Sequence, residues 1–168
     1  VCTNTCIEDC PDGWECAQAG AGPDLTYLCL PQFGPLCRPC NGDEECQQSA
    51  ASQALCLDFA GSGYFCAEPC AADEVCPAGY LCQSTTLPDG TSAPLCLPES
   101  GECGCPKKYA GTLLTTACYE INQWGTCFGE RACIDGDLTA CTSLSPASEI
   151  CNGVDDNCDG LFDEGTGG

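Results

Sequence analysis

The fold is decided by a short stretch that occurs twice, C-P-D-G-W-E-C at residues 10–16 and C-P-A-G-Y-L-C at residues 76–82. Proline followed two residues later by glycine favours a tight turn, and the aromatic residue can cover a disulfide that has few other apolar neighbours. Each copy is followed by L-C-L-P, at residues 28–31 and 95–98, so the chain contains an internal repeat. The repeat cysteines are Cys6, Cys10, Cys16 and Cys29 in the first copy, and Cys70, Cys76, Cys82 and Cys96 in the second.

The second half of each copy predicts a β-hairpin. In the later copy, residues 80–86 and 91–97 are candidate strands on either side of the turn sequence L-P-D-G at residues 87–90. In the earlier copy the turn falls near Gly22-Pro23-Asp24.

Between the copies lies a divergent unit, whose cysteines are Cys40, Cys46, Cys56 and Cys66. Residues 47–55 are rich in alanine, glutamine and serine and favour a short helix, and G-S-G at residues 61–63 favours a turn. After Cys103 the sequence predicts a second small β module, with a hairpin at residues 131–141 that has Asp-Gly at its tip.

The composition is typical of a chain whose fold is stabilised by disulfide bonds. It has 22 cysteines among 168 residues, and because the 43% hydrophobic content includes them, little is left for an apolar core. We therefore predict a small disulfide-rich fold, mostly β-hairpins and loops with little regular helix, built as a tandem string of cystine-stapled units. The predicted boundaries are 1–39, 40–69 and 70–102 for the three cystine units, 103–148 for the hairpin module and 149–168 for an acidic loop.

Cysteine usage also indicates the compartment, because disulfides persist where the surroundings are oxidising. We expect an extracellular or cell-surface location. With no signal-like segment at Val1 and no apolar run as long as a membrane span, we expect a processed or partial chain of an exported protein.

The pairing of the cysteines does not follow from the sequence. We expect most disulfides to form within a unit, with a local pair between Cys151 and Cys158. The C-R-P-C stretch at residues 37–40 matches redox and zinc motifs, but it lies in a proline-flanked loop and lacks a second pair of suitable spacing, so structural disulfides are favoured.

Charge and the missing residue types exclude several functions. With 25 acidic and 4 basic residues, the formal charge of −21 disfavours nucleic acid and anionic membranes as partners. The chain has no histidine and no methionine, which excludes Ser-His and Cys-His catalysis and argues against haem and zinc. A pair of carboxylates could still hydrolyse glycosides, but this reaction needs a cleft. We expect no such cleft in a disulfide-stapled chain with a small apolar core. We expect no enzyme.

The last acidic segment has oxygen ligands at a meaningful spacing. The sequence D-x-N-x-D-G at residues 155–160 is the first half of a calcium loop, in which glycine permits the bend that turns successive oxygens onto one ion. No exit helix can form in G-T-G-G at residues 165–168, so a helix-free calcium loop is predicted; the alternative is an acidic tail with a structural disulfide. The candidate ligands are Asp155, Asn157, Asp159, the Leu161 carbonyl, Asp163 and Glu164.

Residues 150–165, together with 125–133 and 138–141, resemble a family. The pattern is similar to C-x-G-x-D-[DN]-x-C-[DN]-G-x-x-D-E, the metal-binding repeat of secreted cysteine-rich proteins of myxobacteria and their relatives, and the C-P-x-G units resemble modules of the same proteins. The resemblance implies metal binding at Asp155, Asn157, Asp159, Asp163 and Glu164. The family label is sometimes copper binding, but this chain lacks the histidine and methionine that copper favours, so calcium is preferred and copper is doubtful.

These observations predict a non-enzymatic structural module with a calcium-binding terminal loop. Its expected partners are other protein chains, the rest of a larger surface protein, or copies of itself in a fibre or adhesive assembly. The alternatives are a secreted disulfide-scaffold inhibitor or receptor-binding module, which would use an exposed loop at residues 18–24 or 87–93, and the less favoured carboxylate hydrolase.

Overall fold

A computed structural model describes residues 5–6, 10, 14–19, 26–48, 52–71, 76–109 and 112–165. The regular structure in these ranges is almost entirely antiparallel strand, and the helical turns there are the short 3-10 segments Asp43–Glu45 and Lys107–Tyr109. The predicted small disulfide-rich β fold is therefore confirmed.

Within the described residues, the strands form three small sheets. The first pairs β1 (Trp14–Ala19) with β2 (Thr26–Pro31). The second has the order β3-β4-β6-β5 and contains β3 (Leu55–Asp58), β4 (Tyr64–Pro69), β5 (Tyr80–Thr86) and β6 (Ser92–Pro98). The third has the order β7-β8-β9 and contains β7 (Leu114–Asn122), β8 (Gly125–Ile134) and β9 (Asp137–Leu138).

The two repeat copies have the same disulfide connectivity. Each joins its first cysteine to its third and its second to its fourth, through Cys6–Cys16 and Cys10–Cys29 in one copy and Cys70–Cys82 and Cys76–Cys96 in the other. The divergent unit has the equivalent second-to-fourth disulfide, Cys46–Cys66, and its remaining cysteines, Cys40 and Cys56, are also disulfide-bonded. The internal repeat in the sequence is thus also a repeat in covalent structure.

The core of the later copy is built on cystine. Cys70, Cys76 and Cys96 are buried together with Leu36, and the Tyr80 ring packs against this cluster. The aromatic residue of the repeat motif therefore packs against a cluster that contains cystine, and burial raises the pKa of the Tyr80 hydroxyl.

The hairpin predicted in this copy is confirmed to within one residue. Strands β5 and β6 pair from Tyr80 opposite Pro98 to Thr86 opposite Ser92. At the tip, Asp89 Oδ1 accepts hydrogen bonds from the backbone and hydroxyl of Thr91, which closes the turn.

The module after Cys103 is a β-hairpin with a short third strand. Strands β7 and β8 pair along their whole length, and Asp135 and Gly136 form the tight turn into β9 with φ angles of 52° and 94°. The disulfides Cys37–Cys103, Cys105–Cys133 and Cys118–Cys141 staple this module.

Two local predictions are wrong. Cys151 is an exposed free cysteine and Cys158 pairs with Cys127, so the expected Cys151–Cys158 disulfide does not form. No helix forms in the described part of residues 47–55, since Leu55 opens β3; residues 49–51 lie outside the described residues. The turn predicted near Gly22-Pro23-Asp24, and most of the 18–24 loop, also lie outside them.

The chain separates into two compact units, both discontinuous in sequence. One contains residues 1–36, 42–56 and 66–101, and the other contains 37–41, 57–65 and 102–168. The five sequence segments proposed above stay a prediction. In the described residues, no helix has the length and apolar character needed to cross a membrane.

Candidate metal centre

In the terminal loop, residues 149–165, short polar side chains accept hydrogen bonds from backbone N–H groups that follow them in the sequence. Asp155 accepts the backbone N–H of Asp159 at 3.1 Å and of Gly160 at 2.9 Å, one on each carboxylate oxygen. Asn157 Oδ1 accepts the N–H of Asp159 at 2.8 Å, and Asp159 Oδ1 accepts the N–H of Leu161 at 2.9 Å. Alternate Asp and Asn residues therefore wind the D-x-N-x-D segment into consecutive turns.

Gly160 permits the bend at the end of this segment. Its φ of 93° lies in the left-handed region that glycine adopts without steric penalty. This is the conformational role that the sequence predicts for the glycine of a calcium loop.

Glu149 holds the loop together from its beginning. Its Oε1 accepts the backbone N–H of Asn157 at 2.9 Å, and its Oε2 accepts the N–H of Asp163 at 3.0 Å. Because hydrogen bonds to an ionised carboxylate are stronger than neutral ones, this one side chain closes the segment from residue 157 to 163.

Asp156 and Asp163 also stabilise the backbone. Asp163 Oδ1 accepts the N–H groups of Asn152 and Gly153, both at 2.9 Å. Asp156 Oδ2 accepts the N–H of Ile150 at 3.2 Å and the side-chain amide of Asn152 at 3.1 Å. At least one oxygen of the predicted ligand Asp163 is therefore engaged with residues 152–153 rather than with the D-x-N-x-D segment.

Glu164 lies beside the central asparagine of the segment. Asn157 Nδ2 donates to Glu164 Oε1 at 2.8 Å and to Asp159 Oδ2 at 3.4 Å. The other carboxylate oxygen, Glu164 Oε2, is buried and has no hydrogen-bond partner among the described residues. The side chain of Asn157 thus contacts those of Asp159 and Glu164, whereas Asp155 contacts the backbone of Asp159 and Gly160. The Leu161 side chain is exposed.

The loop is anchored to the β7-β8 hairpin. The Cys127–Cys158 disulfide joins Cys158 to a buried position of β8. At the start of β8, a Cβ on Gly125 would lie 2.0 Å from the Asn157 carbonyl oxygen, so this contact requires glycine. The loop is therefore attached both covalently and by close backbone packing.

No protein-family model, curated protein or solved structure matches this chain.

Thiol ligands are disfavoured by the state of the cysteines. In the described part of the chain, groups of three or more His, Cys, Asp or Glu ligand atoms within 4.8 Å of one another contain cysteines alone. All of those cysteines are in disulfides, which removes the thiolates that a soft metal requires. The three groups are Cys6, Cys10 and Cys16; Cys40, Cys46 and Cys66; and Cys70, Cys76 and Cys96.

The terminal loop fits a hard cation better. Its donors are carboxylate and amide oxygens, which calcium takes in sets of six to eight at about 2.3–2.6 Å. No three of its carboxylates reach within 4.8 Å of one another, so ion binding would have to draw them closer. The buried oxygen of Glu164 without a partner is the donor best placed to gain from such a contact.

Sequence reasoning missed the residues that build the loop. Glu149 and Asp156 contact backbone groups 8 and 6 residues away, and these contacts follow no short motif. The one indication in the sequence is that the loop contains more carboxylates than a calcium loop requires as ligands, so some of them can serve to bind the backbone.

Proposed function

We propose that this chain is a non-enzymatic structural module of an extracellular or cell-surface protein, and that its terminal loop binds calcium. The dense disulfides are those of a stable module of the extracellular type and are compatible with that location. Cystine replaces an apolar core in the repeats, so they fold without a ligand, and the acidic loop is left as the segment with spare coordinating oxygens.

One observation carries the calcium proposal. Glu164 Oε2 is buried without a hydrogen-bond partner, beside the side chain of Asn157 in the D-x-N-x-D segment. A buried charged oxygen without a partner is destabilising by about 1–3 kcal/mol or more, and a bound cation would remove that penalty.

The charge of the chain supports the same assignment. At a net charge of −21, the protein attracts divalent cations to any site that offers several oxygens. Magnesium gives up its water ligands reluctantly and demands near-octahedral geometry, so a loop of flexible carboxylates favours calcium.

The proposed role of the module is to connect and present parts of a larger surface protein, or to join chains in a fibre or adhesive assembly. The resemblance of residues 150–165 to the metal-binding repeat of secreted cysteine-rich proteins of myxobacteria and their relatives supports metal binding by the loop. On this proposal the calcium-bound loop orders the end of the chain, and the partners are other protein chains.

The test is calorimetric titration of Ca²⁺ into the oxidised full chain. We expect a dissociation constant in the range of about 10⁻⁴–10⁻³ M, the weak end that extracellular modules show. Glu164→Gln and Asp155→Asn should weaken binding by roughly tenfold or more, because each replaces a charged oxygen ligand by a neutral amide.

Glu99→Gln, which removes an exposed carboxylate outside the loop, is the matched control and should leave the affinity unchanged. Chelation should change amide signals of residues 149–165 and leave those of the repeats in place. An absence of binding heat together with unchanged loop signals at millimolar Ca²⁺ would refute the calcium proposal.

A further inference from the structure

The β7-β8 hairpin has an apolar surface on the side that faces solvent. In the antiparallel register Tyr119 lies opposite Phe128 and Ile121 lies opposite Thr126, so these four residues share one face. The Tyr119 and Phe128 rings are in contact, with centroids 5.9 Å apart. We call Tyr119, Ile121 and Phe128 the hairpin face.

The opposite side of the hairpin carries buried cysteines. Cys118 and Cys127 alternate with the hairpin face along the strands and are 0% and 1% exposed. A two-sided antiparallel pair of this kind ordinarily places polar residues on its solvated side. Here that side instead carries Ile121 and Phe128, which are 70% and 71% exposed.

This exposure is not a general result of the thin core. Among the described residues of the unit that contains the two repeat copies, the large apolar side chains exposed to solvent are Tyr27 and Leu81. The other unit exposes many more, and on the hairpin face they are adjacent. Adjacent exposed apolar residues with a polar rim mark interaction sites.

The rim of the hairpin face is acidic. Asp58 Oδ2 accepts the Tyr119 hydroxyl at 2.7 Å, so a carboxylate lies at the edge of the aromatic pair. Glu130 is exposed and lies two residues from Phe128 on the same strand, and therefore on the same face. Any partner must cover apolar side chains and tolerate or neutralise these charges.

The negative charge of the chain indicates which kind of partner can bind the hairpin face. A second copy would bring another net charge of −21 with only 4 basic residues, so two copies repel one another. A partner with lysine or arginine beside its apolar residues would complement both the face and its rim. We propose that the hairpin face binds a polypeptide segment of another protein that combines aliphatic or aromatic side chains with flanking basic residues.

The probe for the test is a labelled synthetic peptide with a leucine-phenylalanine-leucine centre flanked by lysines. Its affinity for the oxidised full chain is measured by fluorescence anisotropy in EDTA, so the outcome does not depend on calcium binding. Two matched peptides replace either the lysines by glutamates or the apolar centre by serines, and both should bind at least roughly tenfold more weakly.

The protein variant is Ile121→Ser/Phe128→Ser, which preserves the charge and should also weaken binding by roughly tenfold or more. The control is Leu81→Ser, which removes an exposed apolar side chain from β5 and should leave the affinity unchanged. An unchanged disulfide map and near-ultraviolet circular dichroism establish that both variants are folded.

Three results would overturn the proposal. The first is equal peptide affinity in the hairpin variant and the wild type, or an equal loss in the Leu81 control. The second is a dimer of the wild type in sedimentation velocity that the hairpin variant lacks, which would make a second copy the occupant. The third is binding to phosphatidylcholine vesicles that the hairpin variant loses, which would assign the face to a lipid surface.

Discussion

The later repeat copy and the terminal loop both have too little apolar surface to stabilise their turns by hydrophobic packing. The two regions are stabilised in different ways. In the repeat, Cys70–Cys82 and Cys76–Cys96 cross-link a regular hairpin, and the Tyr80 ring packs against the cluster that contains three of these cysteines. In the loop there is no regular structure, one disulfide anchors Cys158, and carboxylates bind the backbone at many points.

Disulfides in the repeat and carboxylates in the loop depend on different conditions. A disulfide stabilises mainly by restricting the unfolded chain, and it is indifferent to salt and to bound ions. Carboxylates that bind backbone N–H groups depend on their charge and on the ions around them. The repeat therefore has a fixed structure under oxidising conditions, whereas the structure of the loop can change with the ions in solution.

Removing the Cys76–Cys96 disulfide should have the largest effect. Cys76→Ser/Cys96→Ser opens a cross-link that spans 20 residues and places two polar groups in a buried cluster. We expect a loss of about 3 kcal/mol or more in the free energy of unfolding, measured by urea denaturation of the oxidised chain.

Cys151→Ser is the control for this experiment, because Cys151 is exposed and unpaired and its removal should leave the urea midpoint unchanged. If the double variant unfolds at the same midpoint as the wild type, the hairpin is held by something other than cystine, and the contrast between the two regions fails.

Glu149→Gln tests the other half of the comparison. The amide cannot accept through its nitrogen, so one of the hydrogen bonds to Asn157 and Asp163 is lost and the other is weakened. We expect a local loss of about 1–2 kcal/mol, which hydrogen exchange would show as roughly tenfold faster exchange of those two amides.

Amides of β5 and β6 should exchange as before in this variant. Glu99→Gln should leave the loop amides unchanged. Equal acceleration throughout the chain would mean that the loop and the repeat do not open separately.

The smallest expected effect concerns Tyr119 at the hairpin face. Its hydrogen bond to Asp58, with a smaller contribution from desolvation, raises the pKa of the Tyr119 hydroxyl. This contribution to stability is fully present below the unfolded pKa of about 10 and is lost as the pH rises through the higher folded pKa. Because the pair is exposed to solvent, the change should be below about 1 kcal/mol.

A spectrophotometric titration of tyrosinate would show this ionisation. Tyr80, whose pKa is raised by burial, should also ionise late, and Tyr119→Phe should remove one of these two late components. A titration curve whose late part is unchanged by Tyr119→Phe would contradict the Asp58 contact.

The local β structure could be predicted because its signals are local. The turn sequence at residues 87–90 located β5 and β6, and Asp135-Gly136 located the β8-β9 turn. The helix at residues 47–55 was predicted from weak propensities, and Leu55 instead follows the strand pairing of β3.

The disulfide partner of Cys158 and the supports of the loop could not be predicted. Cys151 is the nearer cysteine in sequence, but the loop folds back so that Cys158, at a φ of 59°, meets Cys127 of β8. The contacts of Asp155, Asn157 and Asp159 are two to five residues long, so they belong to the short D-x-N-x-D motif, whose metal ligands stay a prediction. Contacts such as those of Glu149 depend on the path of the whole loop.

The overlapping disulfides of the repeat have a mechanical consequence. The shortest covalent path from Cys70 to Cys96 runs along the backbone from Cys70 to Cys76 and then through the Cys76–Cys96 disulfide. A chain pulled from its ends could extend this path to about 27 Å, whereas the same segment without cross-links would reach about 90 Å. Even if its hairpin were torn open, the repeat would yield little length, so it behaves under tension as a nearly inextensible link.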